Sequence, residues 1–253
     1  MVNVILYGCN GRMGSVLSEL IRENPNMNVV AGIDIHHMER EYPVFTSLEQ
    51  CNEKADVMID FSSPASVHQY IPVAIEKHLP VVVATTGLKE KELSLLEEAS
   101  STIAIFRSAN MSIGINLLQQ LLKSATKILG DRFDIEIIEK HHHFKKDAPS
   151  GTALMLADSI NEVLNGSKRY IHGRSGNDAL RKEDEIGIHA VRGGSIVGEH
   201  EVIFAGKDEI ISLEHKAYSR TVFATGAIAA GSFISDLPPK IYDMQDLINV
   251  SSS

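Results

Sequence analysis

The chain has 253 residues, which allows one large domain or two modest ones, each able to bury a hydrophobic core. Apolar residues at 43% and charged residues at 23% are ordinary for a globular protein. The formal net charge is −9 and no long basic run offsets it, so the composition argues against a nucleic-acid-binding surface.

The two cysteines and the hydropathy of the chain bear on its cellular location. Cys9 and Cys51 are too few for a disulfide framework, which favours a reducing compartment. No uninterrupted apolar segment approaches the roughly 20 residues that a transmembrane helix needs, and the N-terminus lacks the pattern of a signal peptide. We therefore expect a cytoplasmic protein that binds neither a membrane nor nucleic acid.

The first part of the chain alternates between apolar, strand-like runs and helical patterns. Such alternation, with nearly continuous apolar strands, is typical of a parallel sheet that is covered by helices, and it predicts an α/β fold. The predicted strands are 2–7, 29–34, 56–61, 80–84 and 103–106, and the predicted helices are 12–24, 64–78 and 89–99.

The pattern changes after about residue 110. A helix that Ser112 caps and Gly130 ends is followed by a strand, a second helix and a long Gly-rich, charged loop. Strands then follow one another closely, which indicates a mixed or antiparallel sheet in a separate domain or at a subunit interface. The predicted strands are 133–139, 186–191, 195–204 and 209–215, the predicted helices are 150–165 and 219–234, and the loop is 166–187.

A glycine-rich loop lies between the first predicted strand and the first predicted helix. Gly8-Cys-Asn-Gly11-Arg-Met-Gly14 stands where a dinucleotide-binding fold has its pyrophosphate turn, although the spacing is GxxGxxG rather than GxGxxG. Asp34 ends the second strand, where a carboxylate would bind ribose hydroxyls. The alternatives are an ordinary strand–helix turn and a solvated carboxylate, and we favour cofactor binding. A reactive thiol at Cys9 is less favoured because no acid–base partner is adjacent to it in sequence.

Two later loops follow the fourth and fifth predicted strands. They are Ala84-Thr85-Thr86-Gly87 and Ser108-Ala-Asn110-Met111, and both lie at the edge where open α/β sheets bind ligands. Their small and amide side chains can contact ribose and nicotinamide. Without the glycine-rich loop they would be equally well interpreted as ordinary turns.

The acid after the second strand also bears on the choice between NADH and NADPH. A carboxylate at Asp34 repels a 2′-phosphate, and Ile35 supplies no cation directly after it. His36 and His37 are close enough to weaken that argument. NADH is the expected preferred cofactor.

The segment from Glu139 to Ala153 places three histidines and two lysines ahead of a Pro-Ser-Gly-Thr helix start. Imidazoles exchange protons near neutral pH, ammonium groups donate protons or bind carboxylates, and a helix N-terminus offers N–H groups to an anion. Pro149 favours an extended residue before it, and Ser150 can cap the helix. The segment predicts a site for a small anionic substrate that must be protonated.

The histidines have two other interpretations. The histidines could be solvated at the polar end of a strand, or His141 and His143 could share one side of the strand and bind a metal. No further Cys/His pair has zinc spacing, and no HExxH motif is present. We therefore expect no metal.

The segment Glu136-Ile-Ile-Glu139-Lys-His141-His142-x-x-Lys145-x-Asp-Ala-Pro-Ser-Gly-Thr-Ala closely resembles the signature of the 4-hydroxy-tetrahydrodipicolinate reductase family, formerly dihydrodipicolinate reductases. These are enzymes of bacterial lysine and diaminopimelate biosynthesis. The resemblance covers essentially the whole chain. It includes Gly8–Gly14, Thr85–Gly87, Ala109–Ser112, Val197–His200 and His215–Arg220.

The resemblance implies that NADH or NADPH reduces a cyclic, unsaturated dicarboxylate to tetrahydrodipicolinate, with loss of water. It implies acid–base chemistry at His141, proton donation by Lys145, and substrate contacts from His142, Gly151 and Thr152. The cofactor contacts that it implies are Gly8, Cys9, Asn10, Gly11, Arg12, Met13, Asp34, Ala84, Thr85, Thr86, Ser108, Ala109, Asn110 and Met111.

The resemblance also implies the domain plan and the assembly. An N-terminal Rossmann-like dinucleotide-binding domain is expected from residues 1–111 and 220–253, and a C-terminal α+β domain with a mixed sheet from residues 112–219. The second domain would bind the small dicarboxylate and pair its sheets in a homotetramer. Two alternatives share this plan: another amino-acid pathway reductase, such as a homoserine dehydrogenase-like enzyme, and a non-catalytic NAD(H) sensor.

Overall fold

The computed structural model describes residues 1–36 and 38–251, so His37 lies outside the described residues. The chain forms two compact units, Met1–Ile113 with Thr221–Ser253, and Gly114–Arg220. The strands are β1 (Val2–Tyr7), β2 (Met27–Ile33), β3 (Val44–Phe45), β4 (Val57–Asp60), β5 (Val81–Val83), β6 (Ala104–Arg107), β7 (Asp134–His141), β8 (Arg169–Ile171), β9 (Glu185–Arg192), β10 (Gly198–Ala205), β11 (Ile210–Ala217) and β12 (Lys240–Tyr242). The helices are α1 (Arg12–Arg22), α2 (Pro64–Glu76), α3 (Glu90–Ala99), α4 (Ile113–Leu129), α5 (Gly151–Val163), α6 (Thr221–Ile234) and α7 (Met244–Ser251).

The first unit is built on a parallel sheet. In the described part of the chain this sheet has seven strands in the order β12-β6-β5-β4-β1-β2-β3, and each neighbouring pair is parallel. From β3 to β6 this is the doubly wound order of dinucleotide-binding folds, with the order reversing between β1 and β4. The predicted α/β architecture is confirmed, while the short strands β3 and β12 and the helix α7 were not predicted.

Both faces of the central strands are buried, which is why these strands appear in the sequence as continuous apolar runs. The side chains of β4 are fully buried from Val57 to Asp60. Leu17 of α1 and Ala227 of α6 belong to the apolar core on one face, and Tyr70 of α2 and Leu96 of α3 belong to the core on the other. The helices therefore cover both faces of the sheet, as the alternating pattern predicts.

The second unit contains a mixed sheet. Its strands follow the order β11-β10-β7-β9-β8, in which β10 is antiparallel to both neighbours while β7, β9 and β8 are parallel. Residues of α4 and α5, among them Leu122 and Leu156, form its core with one face of the sheet. The interpretation of 166–187 as a loop was wrong, because β8 and the start of β9 lie within it. Three-residue strands such as β8 carry too little periodicity to be detected in sequence.

Within the described ranges, no helix has both the length and the apolar character needed to cross a membrane.

Candidate active site

The buried face of β7 changes from apolar to polar along the strand. Ile135 and Ile137 belong to the core of the second unit, and Glu139 and His141 follow them on the same face. Register pairing places His200 of β10 beside Glu139, and Arg192 of β9 beside His141. We call this polar group the histidine site. It consists of Glu139, His141, Lys145, Ser150, Arg192 and His200.

Glu139 is fully buried, and its carboxylate accepts four hydrogen bonds. Arg192 donates through Nη1 and Nη2 at 2.7 Å each, one to each oxygen. The Ser150 N–H donates at 2.9 Å, and His141 Nδ1 lies 2.6 Å from Oε2. Burial alone would raise the pKa of Glu139, but the hydrogen bonds from Arg192, His141 and Ser150 outweigh it and lower the pKa. Glu139 is therefore ionised at neutral pH.

His141 ends β7, and its side chain is 12% exposed. Burial lowers the pKa of His141, Glu139 raises it, and the charges of Lys145 and Arg192 lower it, so that the net change is downward. The ring of His200 lies edge-on to that of His141, with 5.2 Å between the centroids. His141 is thus a mainly neutral imidazole that can accept and return a proton.

His200 and Ser150 join the strand face to the start of α5. Burial lowers the pKa of His200 to about 3, so this imidazole is neutral at neutral pH. Its Nε2 lies 3.0 Å from Ser150 Oγ, and the same oxygen accepts the N–H of Ala153 at 3.1 Å. The predicted role of Ser150 as the cap of this helix is confirmed.

Lys145 lies in the loop after β7 and is 21% exposed. Its Nζ is 2.9 Å from a carboxylate oxygen of Asp147, and its backbone N–H donates to the carbonyl of His142. Its charge lowers the pKa of His141. The ammonium group of Lys145 is therefore within electrostatic reach of the imidazole.

The other residues predicted for the substrate lie near the start of α5 or in the loop before it. His142 and Thr152 are partly buried, and Gly151, the first residue of the helix, is exposed. The first N–H groups of a helix have no intrahelical acceptor and attract anions. His143 and Phe144, to which no role was assigned, are exposed and contact each other.

Among residues 1–36 and 38–251, no three His, Cys, Asp or Glu side chains converge in a way that could hold a metal ion.

The glycine-rich loop of the first unit leaves no space for side chains at two positions. Gly8 has a φ of +80°, and a Cβ there would lie 2.6 Å from the carbonyl oxygen of Phe61. A Cβ on Gly14 would overlap the backbone of Gly8 and Cys9. The following helix α1 begins after Gly11 without a side-chain cap and without an acid in its first turn. This is the arrangement that lets backbone N–H groups approach a phosphate.

Asp34 is held beside this loop by backbone donors. Its Oδ2 accepts the N–H of Asn10 and its Oδ1 that of His36, both at 3.0 Å. Arg40 crosses the loop and donates to Asn10 Oδ1 at 2.9 Å and to the Cys9 carbonyl at 3.0 Å. Gly8, Asn10, Gly14, Asp34 and Arg40 form what we call the glycine-loop site.

Cys9 itself packs into the core of the first unit and is fully buried. Burial, together with the charge of Asp34, raises the pKa of the Cys9 thiol to about 11. A thiol with this pKa stays protonated at neutral pH and is a poor nucleophile. The geometry therefore favours a packing role over the reactive-thiol alternative.

A buried carboxylate ties two neighbouring loops together at the ends of β4 and β5. Asp60 accepts hydrogen bonds from the Ser62 hydroxyl, from Tyr70 OH at 2.9 Å and from Thr85 Oγ1 at 2.8 Å. Thr85 Oγ1 in turn accepts the Ser62 N–H at 2.9 Å. Because the Thr85 hydroxyl is engaged within the protein, its backbone is the better candidate for a cofactor contact.

The remaining residues predicted for the cofactor differ in exposure. Ser108 Oγ donates to the Asn110 carbonyl and Asn110 Oδ1 accepts the Ser112 N–H, so both side chains shape their own turn. The Met111 side chain is buried in the apolar core. Gly11, Arg12, Thr86 and Ala109 are exposed, Met13 is partly buried, and Ala84 is buried.

Sequence reasoning gave no role to four residues that organise these sites: Arg40, Asp60, Arg192 and His200. Arg192 contacts Glu139 across 53 positions of the chain, and Arg40 contacts Cys9 across 31, so no local motif reveals either pair. A usable signal existed for the other two. Asp60 and His200 each place a polar side chain on a buried strand face whose other residues are apolar.

Sequence comparison places both parts of the chain in one family. The family model described as "Dihydrodipicolinate reductase, N-terminus" matches residues 2–111, and the one described as "Dihydrodipicolinate reductase, C-terminus" matches residues 114–248. The chain belongs to the dihydrodipicolinate reductase family. As a member of this family it is an NAD(P)-dependent reductase with a Rossmann-type domain, which confirms the predicted enzyme class.

Relatives of the family match the chain along nearly its whole length. A protein of Caldanaerobacter subterraneus subsp. tengcongensis named 4-hydroxy-tetrahydrodipicolinate reductase is 53% identical over 248 residues, 98% of this chain and 98% of its own. One of the same name from Clostridium tetani is 48% identical over 250 residues, again 98% of each. A solved structure, dipicolinate-bound dihydrodipicolinate reductase from Paenisporosarcina sp. TG-14, has a TM-score of 0.78 at 26% identity, covering 96% of this chain and 97% of that chain.

Proposed function

We propose that the chain catalyses the reduction of 4-hydroxy-tetrahydrodipicolinate to tetrahydrodipicolinate in lysine and diaminopimelate biosynthesis. The reaction consumes one NAD(P)H and one proton and releases NAD(P)⁺ and water. The histidine site carries the proposal. An acid–base imidazole, an ammonium group and a helix start lie together there, in a chain whose relatives at 48% and 53% identity bear the name of this reductase.

The residues of the glycine-loop site fit a dinucleotide. Gly8 and Gly14 allow a tight turn in which a Cβ has no room, and the start of α1 after that turn is uncapped, which suits a pyrophosphate. Among the described residues each Asp34 side-chain oxygen accepts one backbone hydrogen bond, which leaves a lone pair on each for ribose hydroxyls. Backbone groups of 84–86 and of 108–111 complete the proposed cofactor contacts. When bound there, NADH or NADPH supplies the hydride.

In the histidine site, the chain's own residues handle protons and carboxylates. Hydride addition to a conjugated ring leaves negative charge, and Lys145 donates the proton that neutralises it. His141 acts as the acid–base partner of that step. His142, Gly151 and Thr152 bind the substrate carboxylates at the start of α5, where the helix dipole favours negative charge. Binding energy from these carboxylate contacts orients the ring for reaction.

NADH is the proposed preferred cofactor. The Asp34 carboxylate lies beside the glycine-rich loop and would repel a 2′-phosphate, and Ile35 after it is an exposed apolar residue that supplies no cation. We expect kcat/KM to be higher for NADH than for NADPH in initial-rate measurements. Equal values for the two cofactors would contradict this preference.

We assign cofactor binding to the first unit, and substrate binding and assembly into a homotetramer to the second. Helices α4 and α5 cover one face of the mixed sheet. The other face presents Val191, 45% exposed, and Ile210, 68% exposed, which supports pairing of this face with a second copy. Light scattering after size exclusion would measure the mass, and a monomer at micromolar concentration would contradict the assembly.

The free thiols Cys9 and Cys51 agree with a cytoplasmic location, which we also propose.

The decisive experiment is a turnover assay. The substrate is generated fresh by an upstream condensing enzyme, and the loss of NADH absorbance is followed with and without it. Turnover that requires the dicarboxylate supports the proposal. Oxidation of NADH with a different carbonyl compound would indicate another pathway reductase, and cofactor binding without turnover would indicate a sensor.

A further inference from the structure

The hydrogen bonds of Glu139 determine which nitrogen of His141 carries a hydrogen. Oε1 accepts from the Ser150 N–H and from Arg192 Nη2, and Oε2 accepts from Arg192 Nη1 and faces His141 Nδ1 at 2.6 Å. An ionised carboxylate can only accept, so the nitrogen that faces it must be the donor. In the neutral ring the hydrogen therefore sits on Nδ1, and the lone pair is on Nε2.

The other side of the ring is kept free by a glycine. A Cβ on Gly198 would lie 3.2 Å from His141 Nε2, closer than ordinary van der Waals contact. A side chain there would press on the nitrogen that carries the lone pair. Gly198 thus leaves room beside Nε2, while Glu139 occupies Nδ1.

Arg192 keeps Glu139 ionised and in place. Beyond its two bonds to the carboxylate, it donates to the carbonyls of Val191 and Asp147 at 2.8 and 2.7 Å. The guanidinium is thus fixed at both terminal nitrogens, and through Asp147 it reaches the loop that also carries Lys145. Planar, bidentate pairing of this kind orients a carboxylate more strictly than a lysine can.

Several charged or titratable groups face His141, and they come from each element around it. Glu139 lies on its own strand, Arg192 on β9 and His200 on β10, and Lys145, which is paired with Asp147, lies in the following loop. Glu139 favours the imidazolium form, whereas Arg192 disfavours it. Loss of Glu139 should therefore lower the pKa of His141, whereas loss of Arg192 should raise it.

We propose that Glu139 and Arg192 form a positioning pair that holds His141 in its Nδ1–H tautomer, which makes Nε2 the atom that exchanges the proton. The inference rests on the proposed function, since it names the reacting atom of a residue already assigned to acid–base chemistry. Neither member of the pair needs to touch the substrate.

Nuclear magnetic resonance tests the tautomer without any turnover. The full-length protein is labelled with ¹⁵N-histidine, and the His141 signals are assigned by their absence in His141→Gln. We expect a protonated Nδ1 and an unprotonated Nε2 in the wild type above the imidazole pKa. A protonated Nε2 in the neutral ring would overturn the proposal.

The second test compares the pH profiles of kcat for Glu139→Gln and Arg192→Gln. The ionisation assigned to His141 should move to lower pH in the first and to higher pH in the second. Each variant should lose kcat by roughly 100-fold, the lower end of what a positioned acid–base group contributes, with little change in the KM for NADH. Arg192→Lys keeps the positive charge but cannot form the two parallel hydrogen bonds to the carboxylate. It should therefore return the ionisation assigned to His141 to its wild-type pH but restore only part of kcat.

Glu136→Gln is the matched control. Glu136 lies on the same strand, bears the same kind of ion pair through Arg174 and Arg181, and points to the opposite face of the sheet. Its pH profile should match the wild type. Shifts of the same sign in both test variants, or an equal shift in the control, would overturn the inference.

The two tests keep this inference separate from the proposed function. If the wild type does not turn over the dicarboxylate, the proposed function fails, while the spectra still decide the tautomer. If it turns over and the neutral ring carries its hydrogen on Nε2, only the positioning pair fails. Should Glu139→Gln not fold, Arg192→Lys and the wild-type spectra decide the question.

Discussion

Each unit of the molecule contains a fully buried carboxylate with several hydrogen bonds, but the two are held in opposite ways. Asp60 in the first unit accepts from Ser62, Tyr70 and Thr85 and has no cation among its described partners. Glu139 in the second unit is paired with Arg192. Burial raises the pKa of Asp60 despite its hydrogen bonds, whereas the hydrogen bonds of Glu139 lower its pKa despite burial.

This difference agrees with the role that we propose for each unit. In the proposed division of roles the first unit binds a ligand with negative phosphates, and Asp60 joins two loops through neutral donors without needing a permanent charge. The second unit, in our proposal, keeps a proton-exchanging ring in one orientation, and for that the acceptor must stay ionised. A buried carboxylate thus joins two loops in the first unit, where Asp60 lies, and orients an imidazole in the second, where Glu139 lies.

The largest expected effect tests whether proton chemistry is confined to the second unit. We expect His141→Ala and Lys145→Ala each to lower kcat by about 10²- to 10⁴-fold, because each removes a group to which we assign a part in proton transfer. Fluorescence titration should give an unchanged Kd for NADH, since neither residue belongs to the glycine-loop site. Near-wild-type turnover, or weakened NADH binding in both variants, would contradict the division of roles.

The second prediction compares the two carboxylates directly. Glu139→Gln leaves the largely buried Arg192 without its counter-charge and should lower the free energy of unfolding by about 3–5 kcal/mol. Asp60→Asn keeps a polar group among neutral donors and should cost only about 1–3 kcal/mol. Urea unfolding of both variants measures the difference. Equal losses would show that charge pairing does not distinguish the two sites.

The third prediction concerns acid stability, which His200 and Asp60 affect with opposite signs. Burial lowers the pKa of His200 from 6.5 to about 3, so between these values the unfolded chain binds the extra proton. Its contribution is therefore present above pH 6.5 and lost as the pH falls towards 3, on the order of a few kcal/mol. Asp60 has a raised pKa, so its protonation favours the folded state as the pH falls.

Unfolding at a series of pH values checks this sign. His200→Gln should flatten the loss of stability in acid, because the group that takes up a proton on unfolding is gone. Asp60→Asn should steepen that loss, since the folded state no longer gains from protonation. Identical pH dependence in the wild type and both variants is the result that would falsify the assignment.

The smallest expected effect lies at the glycine-loop site. Arg40→Ala removes hydrogen bonds to the Cys9 carbonyl, Asn10 Oδ1 and Ser15 Oγ. Each is worth about 1 kcal/mol, and since the loop must be ordered to bind the cofactor, we expect NADH to bind about 5- to 10-fold more weakly. Isothermal titration calorimetry measures this change, and kcat at saturating NADH should stay close to the wild type. A large loss of kcat would place Arg40 in the chemistry instead.

Local patterns in the sequence determined the order of the elements, the glycine-rich turn and the helix start at Ser150. These features depend on neighbours within a few positions: apolar runs for buried strands, glycines where a Cβ does not fit, and a hydroxyl that reaches the third residue of its helix. The signature around His141 and Lys145 was sufficient to identify the family. The edge strands β3, β8 and β12 went unpredicted because two or three residues carry no periodicity.

Only the tertiary structure decided which partners surround those residues. Arg192 meets Glu139 because β9 pairs in parallel with β7 in the register that sets Arg192 beside His141, and Arg40 meets Cys9 because its segment folds back over the glycine loop. Both contacts join residues more than 30 positions apart. Long-range pairing depends on strand register and loop closure, which a single sequence does not encode at the level of one motif.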